Sequence, residues 1–251
     1  MHGNRVKEQL NAGGIATVIR GHTLTSDTID FLGPQEFDGF WLEGEHGDVV
    51  WSEIGDLTRA CDLWGKSSLM RVQANDIGII TRTLDNGANG IVVPHVNTMS
   101  DAEKVVQAAR FAPHGNRGVY AGRRSYGSSD FYGTANEDTL VVVLIEEVQA
   151  VENLSEILTV DQIDIFFVAP GDLAQSMGLV GQQSNPEVQS LVDYALSEIV
   201  AAGRHAGAMG FEPMLEHYIG LGVKMLLANY DDWLNSGAKR YASKIQRLSA
   251  S

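Results

Sequence analysis

Eight short apolar runs punctuate this chain, and the segments between them carry apolar residues at helical spacing. The runs are Ile15 to Ile19, Phe40 to Leu42, Ser68 to Val72, Ala88 to Val93, Leu140 to Ile145, Ile163 to Val168, His205 to Met209 and Met225 to Ala228. They are apolar throughout rather than alternating, the pattern of strands buried on both faces. Strands of that kind separated by helices form a parallel sheet, because each parallel connection is a crossover that covers one face. Eight strand–helix units in 251 residues fit a closed α/β barrel, the (β/α)8 TIM barrel. An open doubly wound sheet is the alternative, but the first strand-to-helix turn has no G-x-G-x-x-G for a dinucleotide. No low-complexity segment or domain boundary interrupts the pattern, so residues 1–251 read as one barrel.

The helices expected between the strands rest on periodicity and end signals. Asp76 caps a helix from Ile77 to Leu84, and Pro186 opens one that runs to Ala202. Val50 to Trp64, Ser100 to Phe111, Val151 to Leu158, Met214 to Leu221 and Trp233 to Leu248 read the same way. One connection stands apart. His114 to Thr139 is long and rich in Gly, Ser, Arg and Tyr, and loops of that length inside a compact domain usually serve function. Coming after strand four, it is expected on the functional side of the barrel.

Composition removes several classes of partner. A formal charge of −14 argues against nucleic acid or an anionic membrane surface, and a small anionic substrate would need locally placed cations. The single Cys61 excludes an internal disulfide and reads as a buried small hydrophobe. Met1 to Gly14 is polar and lacks the apolar centre of a signal peptide, and no run approaches membrane-spanning length. The expectation is a cytoplasmic protein.

Chemistry gathers where strands end, which in such barrels is where sites lie. Strand two stops in Glu43-Gly44-Glu45-His46-Gly47, a cluster no core accepts without partners. Taken alone it reads equally as a solvated loop whose acid caps the next helix. Strand three ends at Arg71, strand four is followed by His95, strand five by Glu146 and strand six by Asp172. Glu146 and Asp172 end neighbouring strands, so their carboxylates can share one cation, with Mg²⁺ or Mn²⁺ suited to two oxygen ligands, water and substrate. Zinc is disfavoured, since neither cysteine nor a close histidine pair completes its set. Arg71 needs an anion, either a neighbouring acid or a substrate carboxylate. His46, between the hinge glycines Gly44 and Gly47, is the candidate general base. Asp85 either orients it through a hydrogen bond or simply caps a turn with Asn86-Gly87.

These residues sit in a longer pattern. Phe37 through His46, Leu84-Asp85-Asn86-Gly87-Ala88, Val92-Val93-Pro94, Pro113 through Val119, Ile145-Glu146 with Glu152-Asn153-Leu154, and Ala169-Pro170-Gly171-Asp172-Leu173 keep their order and spacing. Together they resemble the HpcH/HpaI aldolases, metal-dependent class II pyruvate aldolases, over nearly the whole length. The resemblance implies a homo-oligomeric barrel, a hexamer built as a trimer of dimers, with the last helix exchanged between subunits. It implies a divalent cation, Mg²⁺, Mn²⁺ or Co²⁺, on Glu146 and Asp172, with Gly171 and Asp172 beside the substrate. It makes His46 the base, Asp85 its supporting acid, Arg71 the pyruvate partner and Arg124 a residue of the aldehyde side. Glu45 falls near metal-bound water and Glu43 beside it. The sequence departs from the family pattern at Leu144, where glutamine is frequent, at Glu43 for aspartate, at Ala74 for tryptophan, and through Tyr120 to Ser129.

The activity so implied is an aldol cleavage or formation of 4-hydroxy-2-oxo acids from pyruvate or hydroxypyruvate and an aldehyde. A Schiff-base route is disfavoured because Lys66 and Lys224 precede their strands and Lys7, Lys104, Lys239 and Lys244 lie on expected helices. Two other classes stay open: an acyl-CoA hydroxy-acid lyase, with Arg117, Arg123 and Arg124 as its phosphate-binding rim, and a barrel without catalysis.

Overall fold

The computed structural model describes residues 3–47, 49–120 and 122–249. Eight parallel strands close on themselves in chain order: β1 (Ala16–Arg20), β2 (Gly39–Glu43), β3 (Ser67–Arg71), β4 (Gly90–Val93), β5 (Leu140–Ile145), β6 (Ile165–Val168), β7 (Ala206–Met209) and β8 (Met225–Asn229). The closing seam pairs β1 with β8 from Ala16↔Met225 to Arg20↔Asn229. The TIM barrel is therefore observed.

Side chains alternate across the wall as the pleat requires. Trp41 and Phe167 point inward with Val18, Leu69, Val142 and Leu144, while Phe40, Leu42 and Phe166 pack outward under the helices. Trp41 and Phe167 meet with ring centroids 5.3 Å apart. Gly207 makes room for the second ring, because a Cβ there would lie 2.6 Å from Phe167 Cδ2.

Twelve helices pack on the barrel among the described residues. The first six are α1 (Arg5–Asn11), α2 (Ser26–Leu32), α3 (Trp51–Leu63), α4 (Ile77–Asp85), α5 (Met99–Ala109) and α6 (Phe131–Asp138). The others are α7 (Val148–Glu152), α8 (Leu154–Ile157), α9 (Pro170–Ser176), α10 (Pro186–Ala201), α11 (Leu215–Leu221) and α12 (Tyr230–Ser249). Helix α1 plugs the amino-terminal mouth, where Val6 and Leu10 join the inner core. Its cap Asn4 donates to Asn89 O at 2.7 Å and accepts from Ser67 Oγ at 2.8 Å.

Three expectations are revised. The segment after α5 is not a structureless loop: a short turn spans Arg123–Ser125 and α6 comes next. Helix α6 buries only Ala135, so no apolar stripe announces it in the sequence; Phe131 and Tyr132 dock edge-on against Phe111. The same segment lies at the amino-terminal end of the barrel, not on the functional side. A crossover helix runs opposite to the strands, so the chain leaving it starts from the other end, and Arg123 accordingly reaches Asp62 at the close of α3. Helix α9, finally, succeeds β6 where the sequence shows only a strand end.

The floor depends on one amide. Asn89 Oδ1 accepts from Ser68 N at 2.7 Å, and both residues are buried. Asn89→Ala strands that N–H and is expected to lower unfolding free energy by about 1–3 kcal/mol. Urea unfolding checks this, and an unchanged midpoint would refute the assignment.

Candidate active site

Each strand delivers its last side chains to one rim, and the rim is organised around a buried ion pair. Arg71, at the end of β3, is only 6% exposed. Its Nε lies 2.9 and 2.8 Å from the two oxygens of Glu43, its Nη2 2.8 Å from Glu43 Oε2, and its Nη1 3.0 Å from Glu45 Oε2. Glu43 Oε1 also accepts the backbone N–H groups of Glu45 at 2.9 Å and His46 at 3.1 Å, and Trp41 Nε1 donates to Oε2 at 3.3 Å. Burial pushes the Glu43 carboxyl up, but the Arg71 hydrogen bonds and charge outweigh it and hold the group below the usual carboxylate range. Of the two partners considered for Arg71, the neighbouring acids are those it meets.

The turn after β2 is tight rather than loose. A Cβ on Gly44 would lie 2.7 Å from Arg71 O, and one on Gly47 would lie 2.6 Å from Glu43 O. These glycines allow close approach of two main chains. They are not hinges in the sense expected. His46 emerges from this turn with a largely exposed ring, its Nε2 4.0 Å from Glu45 Oε1.

Across the same rim Glu146 is buried at the end of β5, 2% exposed. It accepts the His95 N–H at 2.8 Å, and His95 Nδ1 stands 3.7 Å away. Burial, with the nearby Asp172 charge adding to it against the His95 N–H, pushes its carboxyl up to about 7. His95 adopts a left-handed φ of 56°, which a non-glycine residue reaches only when its surroundings hold it. Burial pulls its imidazole down, yet the Glu147 hydrogen bond and the Glu146 and Glu45 charges raise it on balance. Glu45 Oε2 is buried with no hydrogen bond, since Arg71 Nη1 approaches it off line.

The buried Glu146 carboxyl, raised by burial and by the charge of the half-buried Asp172, forms with Asp172 a donor pair suited to a hard cation. Among the described residues no group of three or more His, Cys, Asp or Glu forms a metal cage, so the ion would complete its shell with water and substrate. The residues fit it.

A cavity of about 260 Å³ opens above the inner core, walled by Arg20, Trp41, His46, Arg71, Leu144, Gly171 and Asp172. It adjoins a second, of about 330 Å³, which reaches outward along Gly21, His22, Leu24 and Val49. Arg20 escapes the sequence reading because the apolar run stops at Ile19, one residue short of the end of β1; an arginine closing an apolar strand, as at Arg71, was the signal available.

Asp85 and Arg124 do not join this rim within one chain. Asp85 closes α4 and is paired with Arg117 Nη2 at 2.8 Å, and Arg124 Nη1 lies 3.3 Å from Asp62 Oδ1. Both line or border the amino-terminal end, where Arg117 and Arg124 wall a cavity of about 270 Å³.

A (β/α)8 barrel with acids, a histidine and paired cations on its carboxyl rim defines an enzyme that handles charged small molecules. The profile of the HpcH/HpaI aldolase/citrate lyase family matches residues 25–217, and the chain belongs to that family. It is 33% identical over 220 residues to a hydroxypyruvate/pyruvate aldolase of Cupriavidus necator, covering 86% of this chain and 80% of that one. A hydroxypyruvate/pyruvate aldolase of Roseobacter denitrificans is 37% identical over 188 residues, 73% of each chain. The fold matches a HpcH/HpaI aldolase/citrate lyase family protein from Burkholderia cenocepacia with a TM-score of 0.89 at 24% identity, over 97% of this chain and 99% of the other. The family generally depends on a divalent metal. No helix among the described residues is long and apolar enough to cross a membrane.

The Glu43 pair makes a stability statement. A carboxyl held low contributes stability above its unfolded range, and that contribution disappears as pH falls through its folded value. Glu43→Gln is expected to cost about 1.5–3 kcal/mol at neutral pH. Thermal melts should show the gap to the wild type narrowing in acid; a gap independent of pH would contradict the pairing.

Proposed function

We propose that the chain is a metal-dependent aldehyde-lyase that cleaves or forms 4-hydroxy-2-oxo acids, with pyruvate or hydroxypyruvate as the donor and an aldehyde as the acceptor. The observation that carries this reading is the buried Glu146 carboxyl, raised in part by the charge of Asp172, with Asp172 lining a cavity together with His46 and Arg71. Those two carboxylates would hold Mg²⁺, Mn²⁺ or Co²⁺, which supplies Lewis acidity to the keto oxygen of the 2-oxo acid.

The chain's own residues do the rest. Gly171 and Asp172, at the start of α9, border the donor. His46 takes the proton from the C4 hydroxyl as the C3–C4 bond breaks and the aldehyde forms. The electron pair of that bond moves toward the keto group, and a proton returned to C3 completes pyruvate. Arg71, fixed by Glu43 and Glu45, lines the cavity beside the donor and presents guanidinium N–H groups there. Trp41, Phe167 and Leu144 form an apolar floor that excludes water from the reacting carbons. Leu144 contributes no hydrogen bond to the oxo acid, so the floor grips the donor by shape alone.

Asp85 and Arg124 stand at the other end of the barrel and would serve a rim only across a subunit boundary. Such an assembly, a hexamer with α12 exchanged, is supported by that helix itself. It buries none of its residues within the chain, and Leu234, Tyr241 and Leu248 are each more than half exposed. A cytoplasmic location accords with this small-molecule chemistry. The acyl-CoA reading loses ground, since Arg117 and Arg123 are committed to Asp85 and Asp62 away from the rim.

Glu146→Ala and Asp172→Ala should each abolish metal-dependent cleavage while circular dichroism shows an intact fold, and chelation should do the same to the wild type. Most activity surviving at saturating metal would exclude the pair. His46→Ala is expected to slow turnover by about 10²–10⁴-fold. Calorimetry should find its metal affinity little changed; a collapse would make the histidine a ligand instead.

A further inference from the structure

The two adjoining cavities on the carboxyl rim share three wall residues, Arg20, His46 and Arg71. Resting on the aldolase reading, the inner cavity with Gly171 and Asp172 takes the donor. The proton-moving residue then stands on the boundary, and the aldehyde whose oxygen it serves must come from the other side of that boundary. The outer cavity, about 330 Å³, is large enough for a chain of a few carbons.

The cations on that boundary are not equivalent. Arg71 is committed to Glu43 and Glu45 through three of its nitrogens. Arg20 ends β1 half-buried, and its guanidinium makes no hydrogen bond or ion pair with any described residue. The acids in its field are Glu43, Asp231 and Asp232. Glu43 is saturated by Arg71 and by main-chain and indole N–H groups. Asp231 accepts from His22 N at 2.8 Å and meets His22 Nδ1 at 2.7 Å. Asp232 is exposed at the start of α12. A half-buried guanidinium that lines a cavity and has no acid partner keeps its donors available to an incoming anion. In a chain of net charge −14 such a cation is scarce enough to mark a site.

We infer that Arg20 determines acceptor specificity: it binds an anionic group, carboxylate or phosphate, at the far end of the aldehyde, which lies in the outer cavity with its carbonyl toward His46. The bidentate fork of arginine suits either oxyanion. Burial lowers the Arg20 pKa, a sign of the desolvation that an incoming anion would offset.

The test compares wild type, Arg20→Gln and Arg20→Lys on matched aldehydes: 4-oxobutanoate against butanal for the carboxylate, and glyceraldehyde 3-phosphate against glyceraldehyde for the phosphate. Exchange of the pyruvate C3 protons without aldehyde reports the donor side alone. Arg20→Gln is expected to lose about 10- to 100-fold in kcat/KM for at least one anionic aldehyde. It should change little for the neutral partners and for proton exchange, and Arg20→Lys should recover part of the loss. Which anion is affected tells carboxylate from phosphate. Equal losses on charged and neutral aldehydes, or a matching loss of proton exchange, would overturn the inference. Calorimetric titration of the metal-loaded protein with 4-oxobutanoate, glyceraldehyde 3-phosphate and butanal needs no turnover. Tighter binding of an anion that Arg20→Gln erases supports the role, and equal binding by both proteins rejects it. If wild type exchanges no pyruvate proton, the aldolase reading fails while the titration still decides on Arg20.

Discussion

Closure of the sheet is the constraint that governs the rest of the molecule. With β1 paired to β8 over five residues, no strand has a free edge, and every strand must deliver its carboxyl end to the same rim. A closed parallel sheet also forces each crossover to the outside, which fixes what the two ends of the barrel can carry. Segments leaving strands build the rim. Segments leaving helices build the floor, whatever their composition suggests.

That rule explains how the sequence was and was not legible. The eight strands show because full burial leaves continuous apolar runs, and the strand-end residues Glu43, Arg71, Glu146 and Asp172 are located by them. The length and composition of His114 to Thr139 resemble a functional loop, but composition carries no direction. Only the antiparallel run of α5 tells which end it serves. Helix α6 was illegible for a different reason: one buried residue in eight leaves no stripe to detect. Arg20 was lost to a boundary error of one residue, which costs little in a strand assignment and much where strand ends carry the chemistry.

Partnerships were the least legible part. Sequence alone left Arg71 suspended between an acid and a substrate, because both make the same demand of a guanidinium. Geometry separates them through the extra methylene of Glu43, which lets its carboxylate reach the arginine fork while still accepting two backbone N–H groups. Asp85 and Arg124 pose the reverse problem. Their neighbours in the sequence resemble those of site residues, yet their neighbours in space are Arg117 and Asp62.

The several duties of Glu43 bear on how such an enzyme can change. One carboxylate sets the position of the arginine and, through the N–H groups of Glu45 and His46, the turn that presents the histidine. A substitution there disturbs cation and base together, so the two cannot drift independently. Leu24 and Val49 touch the outer cavity without belonging to this network. Diversification of the accepted aldehyde, by natural selection or in a directed library, is therefore channelled to those walls, where a new shape can be tried without dismantling the machinery beside it.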